Sequence, residues 1–188
     1  MIEVEFLGTG TSTGVPQLGC ECEVCKSADP RDKRLRCSAI VRTQGVSLLI
    51  DCGPDFRQQM LRASDLHLDA LLITHSHYDH VGGMDDLRPY CREIPFPVYA
   101  QPNVVADIKA RIPYCFREHL YPGVPTFDMH PLAGEPFEVK GVRVEPLPVM
   151  HYKLPIFGYR IGNLAYITDA KTIPPSTMAR LQGIDTLI

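Results

Sequence analysis

Apolar residues along this chain fall in short runs and in period-two alternation, and long amphipathic stretches are scarce. Alternation over 3–7 predicts an opening strand, and similar runs predict strands at 39–42, 47–51, 70–74, 98–100, 137–139, 142–147, 157–161 and 164–168. Helical signals are fewer. One follows Pro54 over 55–62, one covers 82–90 until prolines stop it, and one covers 103–112 with Asn103 as N-cap. The Lys140-Gly141 pair between two strand signals marks a hairpin. Hairpins mixed with strand-helix units predict an α/β sandwich with mixed sheets rather than a purely parallel sheet. No repeat, linker or low-complexity tract interrupts the pattern, so 1–188 reads as a single domain.

Composition narrows the function. With 45% hydrophobic and 22% charged residues over 188 positions, the chain is globular. A domain of this size buries roughly 70% of its unfolded surface and needs no disulfide to fold. The net charge of -3 offers no general field for a nucleic-acid backbone. The basic run Arg31-Asp32-Lys33-Arg34-Leu35-Arg36 keeps RNA contact open as a minor alternative. No apolar run reaches the roughly 20 residues of a membrane span, and the N-terminus lacks the plan of a secretory signal, so a cytoplasmic protein is expected. In a reducing compartment, crowding of Cys20, Cys22 and Cys25 points to metal, whereas Cys37, Cys52, Cys91 and Cys115 read as buried small hydrophobes. Gly8-Thr9-Gly10-Thr11-Ser12-Thr13-Gly14 lacks the spacing and following helix of a dinucleotide loop.

The densest chemistry is Thr74-His75-Ser76-His77-Tyr78-Asp79-His80, directly after an apolar strand. Imidazole nitrogen and carboxylate oxygen are the donors preferred by zinc and neighbouring transition metals. A strand end followed by a tight loop can turn His75 and His77 toward one ion and Asp79 and His80 toward a second.

This segment resembles the His-x-His-x-Asp-His signature of the metallo-β-lactamase superfamily. The resemblance continues through Phe6-Leu7-Gly8-Thr9-Gly10, through Ser47-Leu48-Leu49-Ile50-Asp51-Cys52-Gly53, and to His151 and Asp169. It implies an αβ/βα sandwich. It also implies that His75, His77 and His151 hold a first metal, that Asp79 and His80 help hold a second, and that Asp169 bridges the two. Asp51 is then a carboxylate orienting those ligands. The Cys20-Glu21-Cys22-Glu23-Val24-Cys25 stretch is similar to an insertion of the PhnP-type cyclic-phosphate phosphodiesterases, which implies a structural zinc on Cys20, Cys22 and Cys25 in a loop at about 14–37. Lys153, in a segment that also resembles that group, would face a substrate phosphate.

The resemblance further implies a final metal-binding histidine and a fourth structural-zinc ligand. His67, His119 and His130 have the wrong positions and flanks, so the chain is expected to lack its C-terminal part, with both ligands beyond Ile188. The expected activity is hydrolysis of a cyclic or small phosphodiester. Two divalent ions, zinc or manganese, would activate a hydroxide, with Asp79, His80 and Asp169 as catalytic residues. Rival readings are a tRNA 3′-processing endoribonuclease, a thioester or lactam hydrolase, and a non-catalytic zinc-stabilised interaction module. A homodimer is left open. The enzyme predicts about three metals per complete chain, the module one.

Overall fold

The computed structural model describes all of residues 1–188. One sheet runs in sequence order: β1 (Ile2–Gly8), β2 (Ser38–Thr43), β3 (Val46–Ile50), β4 (Ala70–Leu72), β5 (Phe96–Ala100) and β6 (Phe127–Pro131). It is antiparallel from β1 to β3 and parallel from β3 to β6. The second sheet contains β7 (Phe137–Val139), β8 (Val142–His151), β9 (Leu154–Ile161), β10 (Leu164–Tyr166) and β11 (Thr186–Leu187), ordered β11-β10-β9-β8-β7. The helices are α1 (Glu23–Lys26), α2 (Phe56–Met60), α3 (Tyr78–Val81), α4 (Pro102–Arg111) and α5 (Pro175–Arg180).

The continuous apolar runs in β2, β3 and β4 arise because those strands are covered on both faces. Ala39, Val41, Leu48, Ile50, Ala70 and Leu72 pack against Val142, Val144, Tyr159, Ile161 and Tyr166 of the second sheet. The intervening Ile40, Leu49 and Leu71 face the other way, toward Phe56 and Met60 of α2 and Val104, Val105 and Ile108 of α4. Leu181, just after α5, packs on Leu147 and Ala165 on the far side of the second sheet. The layers are therefore helix, sheet, sheet, helix, the expected αβ/βα sandwich. Each fully buried aliphatic side chain contributes about 1.5–3 kcal/mol through removal from water.

Several boundaries differ from the sequence reading. The helix expected at 82–90 is a short α3 ending before Gly82-Gly83, then a 3₁₀ stretch at Met84–Tyr90 that contains Pro89. α4 starts at Pro102 with Gln101, not Asn103, as its N-cap, since proline fits the first helical turn. β8, expected over 142–147, continues through Pro148 to His151. β7 pairs only with Val142–Val144 and Thr172 only with Met150, so the edge of β8 at Pro146 and Pro148 is open and missing N–H groups cost nothing there. One short strand, β6, had no period-two signal. Cys52 and Cys115 are buried as expected, whereas Cys37 and Cys91 are half-buried.

Candidate metal centre

The ends of β3, β4, β8 and β10 converge at one edge of the sandwich, each delivering part of the site. β3 ends in Asp51, whose backbone takes the left-handed conformation (φ 60°) that aspartate tolerates better than most residues. The turn is held by the Leu72 carbonyl, which accepts from the Asp51 N–H at 3.0 Å, and by the Ser38 hydroxyl, which donates to the Asp51 carbonyl at 2.9 Å. Asp51 is completely buried. Its carboxylate accepts from the Thr74 N–H and the Thr74 hydroxyl, both at 2.8 Å, and from His80 Nδ1 at 2.6 Å.

The loop after β4 carries His75, His77, Asp79 and His80, and is clasped to the loop after β3. Cys52 N–H donates to the His80 carbonyl at 2.7 Å, and Gly83 N–H to the Cys52 carbonyl at 2.9 Å. A Cβ on Gly53 would lie 2.1 Å from the Asp79 carbonyl oxygen, and one on Gly83 2.0 Å from that of Gly53. Only glycine permits this approach. From outside, Ser76 Oγ donates to Asp107 of α4 at 2.5 Å, and Arg111 donates to the Ser76 carbonyl at 3.2 Å.

Two groups of donor atoms result, each lying within 4.8 Å of one another: His75, His77 and His151, and His75, His80 and Asp169. His75 Nε2 faces His77 Nδ1 at 3.0 Å, and the His151 ring centroid is 5.3 Å from that of His77. Asp169, left-handed at φ 56°, sets Oδ2 3.6 Å from His75 Nε2 and 3.2 Å from His80 Nε2. Asp79 Oδ2 lies 3.1 Å from His80 Nε2. The structure thus brings His75, His77, Asp79, His80, His151 and Asp169 into one cluster, with Asp169 beside His75 and His80.

The donor set fits divalent cations. His80 Nε2 is buried and makes no hydrogen bond, although two carboxylate oxygens lie within 3.2 Å. A buried polar atom without a partner is costly, and a cation among these three donors would satisfy all of them. Without a cation, a proton takes that place. Burial would push the His80 imidazole down, but the Asp51 charge, with Asp169 and Asp79, pushes it up to about 12. His75 is instead lowered to about 4 by burial and the neighbouring His80 charge. Asp169 is held far below the usual carboxylate range, chiefly by its contact with His80.

The thiols of Cys20, Cys22 and Cys25 also lie within 4.8 Å of one another, in the loop around α1. The Cys25 N–H and the Cys20 thiol pull the Cys22 thiol downward, toward the thiolate that metals bind. Lys153 sits at the β8–β9 hairpin tip, its ammonium 5.7 Å from the exposed Tyr152 ring. Thr74 and Ser38 escaped the sequence reading, because a hydroxyl before or far from a histidine motif has no distinctive spacing.

Residues 47–188 match the family described as the beta-lactamase superfamily domain. Over 89% of its length the chain is 52% identical to an octanoyltransferase of Porphyromonas gingivalis, of which it spans 35%. Over 57% of its length it is 37% identical to coenzyme PQQ synthesis protein B of Methylorubrum populi, of which it spans 40%. The chain thus spans well under half the length of these curated relatives. Among solved structures, a diphosphatase of the PhnP family superposes over the whole chain and 73% of its own, with TM-score 0.90 and 39% identity. Zn(2+)-bound PqqB from Methylobacterium extorquens superposes over the whole chain and 71% of its own, with TM-score 0.79 and 27% identity. The short form of human tRNase Z, at 20% identity and TM-score 0.71 over the whole chain and 76% of its own, shares the fold.

Proposed function

The chain belongs to the beta-lactamase superfamily domain family, whose fold is that of metallo-β-lactamase hydrolases, and from this membership we propose that it hydrolyses small or cyclic phosphodiesters. The observation that carries the proposal is the pair of donor groups sharing His75, on a chain alike over its whole length to a PhnP-family diphosphatase.

In this reading His75, His77 and His151 hold one divalent ion, zinc or manganese, Asp79 and His80 contribute to a second, and Asp169 serves both. When bound, such ions make water nucleophilic at neutral pH and offset charge on the phosphoryl oxygens. The chain's own residues fix where this occurs. Asp51 turns the His80 ring by accepting from Nδ1 and so leaves Nε2 free for a ligand bond. Asp79 and Asp169, both held below the ordinary carboxylate range, remain ionised donors. Lys153 is an exposed cation suited to a non-bridging phosphate oxygen. Cys20, Cys22 and Cys25 hold a structural zinc, and 1–188 is a single domain with this loop as an insertion at about 14–37.

The test is hydrolysis of a cyclic and an aryl phosphodiester, beside precursor tRNA, by metal-loaded protein that includes the final histidine and fourth zinc ligand implied by the family resemblance. Turnover of the small diesters is expected, and Asp79→Ala should lower it at least about 100-fold, the scale for loss of metal-centre function. Cleavage of precursor tRNA with none of the small diesters would replace this reading. A second reading rests on the 52% identity to part of the octanoyltransferase: an acyl ester or thioester as substrate. Turnover of an octanoyl thioester with no phosphodiester turnover would establish it.

A further inference from the structure

We infer that Thr74 is a positioning residue through which one buried carboxylate, Asp51, orients the rings of both His75 and His80. Its importance for metal binding rests on the proposed function; the orientation itself does not.

The number of protons available decides which group donates in this set of contacts. Asp51 Oδ2 lies 2.8 Å from Thr74 Oγ1 and 2.6 Å from His80 Nδ1, and the same Thr74 Oγ1 lies 3.0 Å from His75 Nδ1. A hydroxyl has a single proton, whereas an ionised carboxylate only accepts. The Thr74 proton therefore goes to Asp51, and the Thr74 oxygen can only accept from His75. Both histidines then carry their hydrogen on Nδ1, one bonded to Asp51 directly and the other through the hydroxyl. These Nδ1 bonds leave both Nε2 atoms turned toward the ligand cluster: that of His75 faces His77 Nδ1, and that of His80, which carries a proton when no cation is present, faces Asp79 and Asp169.

The surroundings make the relay rigid. Thr74 is completely buried, its N–H donates to Asp51 Oδ1, and its carbonyl accepts from the Phe157 N–H at 3.1 Å. The preceding Ile73 carbonyl accepts from the Tyr159 hydroxyl at 2.6 Å. Both sheets therefore fix the hydroxyl before any ion arrives.

Thr74→Val preserves shape and removes the hydroxyl, whereas Thr74→Ser keeps the hydroxyl and removes the methyl. Competition of Zn²⁺ against a chromophoric chelator should show affinity of the histidine centre falling about 10–100-fold in Thr74→Val, the range for loss of a group that orients a ligand, and staying within about threefold in Thr74→Ser. Unchanged affinity in Thr74→Val, or equal loss in both variants, would overturn the inference. Nitrogen-15 NMR of the unsubstituted metal-free protein gives an answer even if Thr74→Val does not fold. His75 is expected with its proton on Nδ1, and an unprotonated Nδ1 at His75 would equally overturn it. Protonated Nδ1 at His75 in a protein that takes up no zinc would uphold the Thr74 relay and refute the metal reading.

Discussion

At the scale of single residues, the site is assembled from backbone conformations that most side chains avoid. Asp51 and Asp169 both occupy the left-handed region, at φ 60° and 56°, each at the point where a carboxylate must turn toward the histidines. Such conformations cost about 1–2 kcal/mol each and persist where surrounding bonds outweigh them, as the Ser38 and Leu72 contacts do for Asp51. Tyr152, directly after His151, is left-handed too, at φ 55°, yet the residue is 74% exposed. A bulky residue there is strained with little burial in return. Tyr152→Gly should therefore raise unfolding free energy by about 1 kcal/mol in urea titrations. A loss of stability would show that the ring packs more than its exposure implies.

At the scale of elements, two loops that are far apart in sequence behave as one piece. The β3–α2 loop and the loop containing α3 touch backbone to backbone at Gly53 and Gly83, and that contact sets the distance from Asp51 to His80. Gly53→Ala and Gly83→Ala would each place a methyl about 2 Å from a carbonyl oxygen, so the loops must separate. Each substitution should cost about 3 kcal/mol or more and weaken metal uptake in parallel, read by thermal unfolding and metal analysis. By contrast, Gly45→Ala has free space around the new methyl but sits at φ 78°. It should cost only about 1 kcal/mol and leave metal uptake unchanged.

At the scale of the whole molecule, the two sheets supply the candidate donor residues from opposite layers, so folding and the site depend on each other. The metal-free protein carries opposed titrations at this junction. His75, lowered from 6.5 to about 4, contributes stability present above pH 6.5 and lost as pH falls toward 4. Asp169 and Asp79, also lowered, add to the acid-side loss below their ordinary value of 3.8. His80, raised from 6.5 to about 12, contributes stability present below pH 6.5 and lost as pH rises toward 12. Calorimetry of the metal-free protein should therefore show Tm highest near pH 6.5, with a decline on both sides. With metal in place of the His80 proton, the alkaline decline should be reduced. A metal-free Tm still rising at pH 9 would contradict this assignment.

The sequence by itself determined a mixed-sheet α/β sandwich and the dense histidine-aspartate run from His75 to His80. Doubly covered strands require unbroken apolar runs, such as Leu48-Leu49-Ile50 and Ala70-Leu71-Leu72, and a strand ending in His75-Ser76-His77-Tyr78-Asp79-His80 concentrates metal donors through local spacing alone. His151 and Asp169 were legible only through family likeness, since one histidine or aspartate after a strand carries no local signal. The extension of β8 through Pro148, the edge strand β6, and the Thr74 relay depended on tertiary structure. Each is decided by what lies across a gap: the reach of β7, a neighbouring strand, or a carboxylate more than twenty residues earlier in the chain. Ring orientation and protonation site follow from such non-local partners, so the pattern of residues can place histidines together while only the fold decides which nitrogen each one offers.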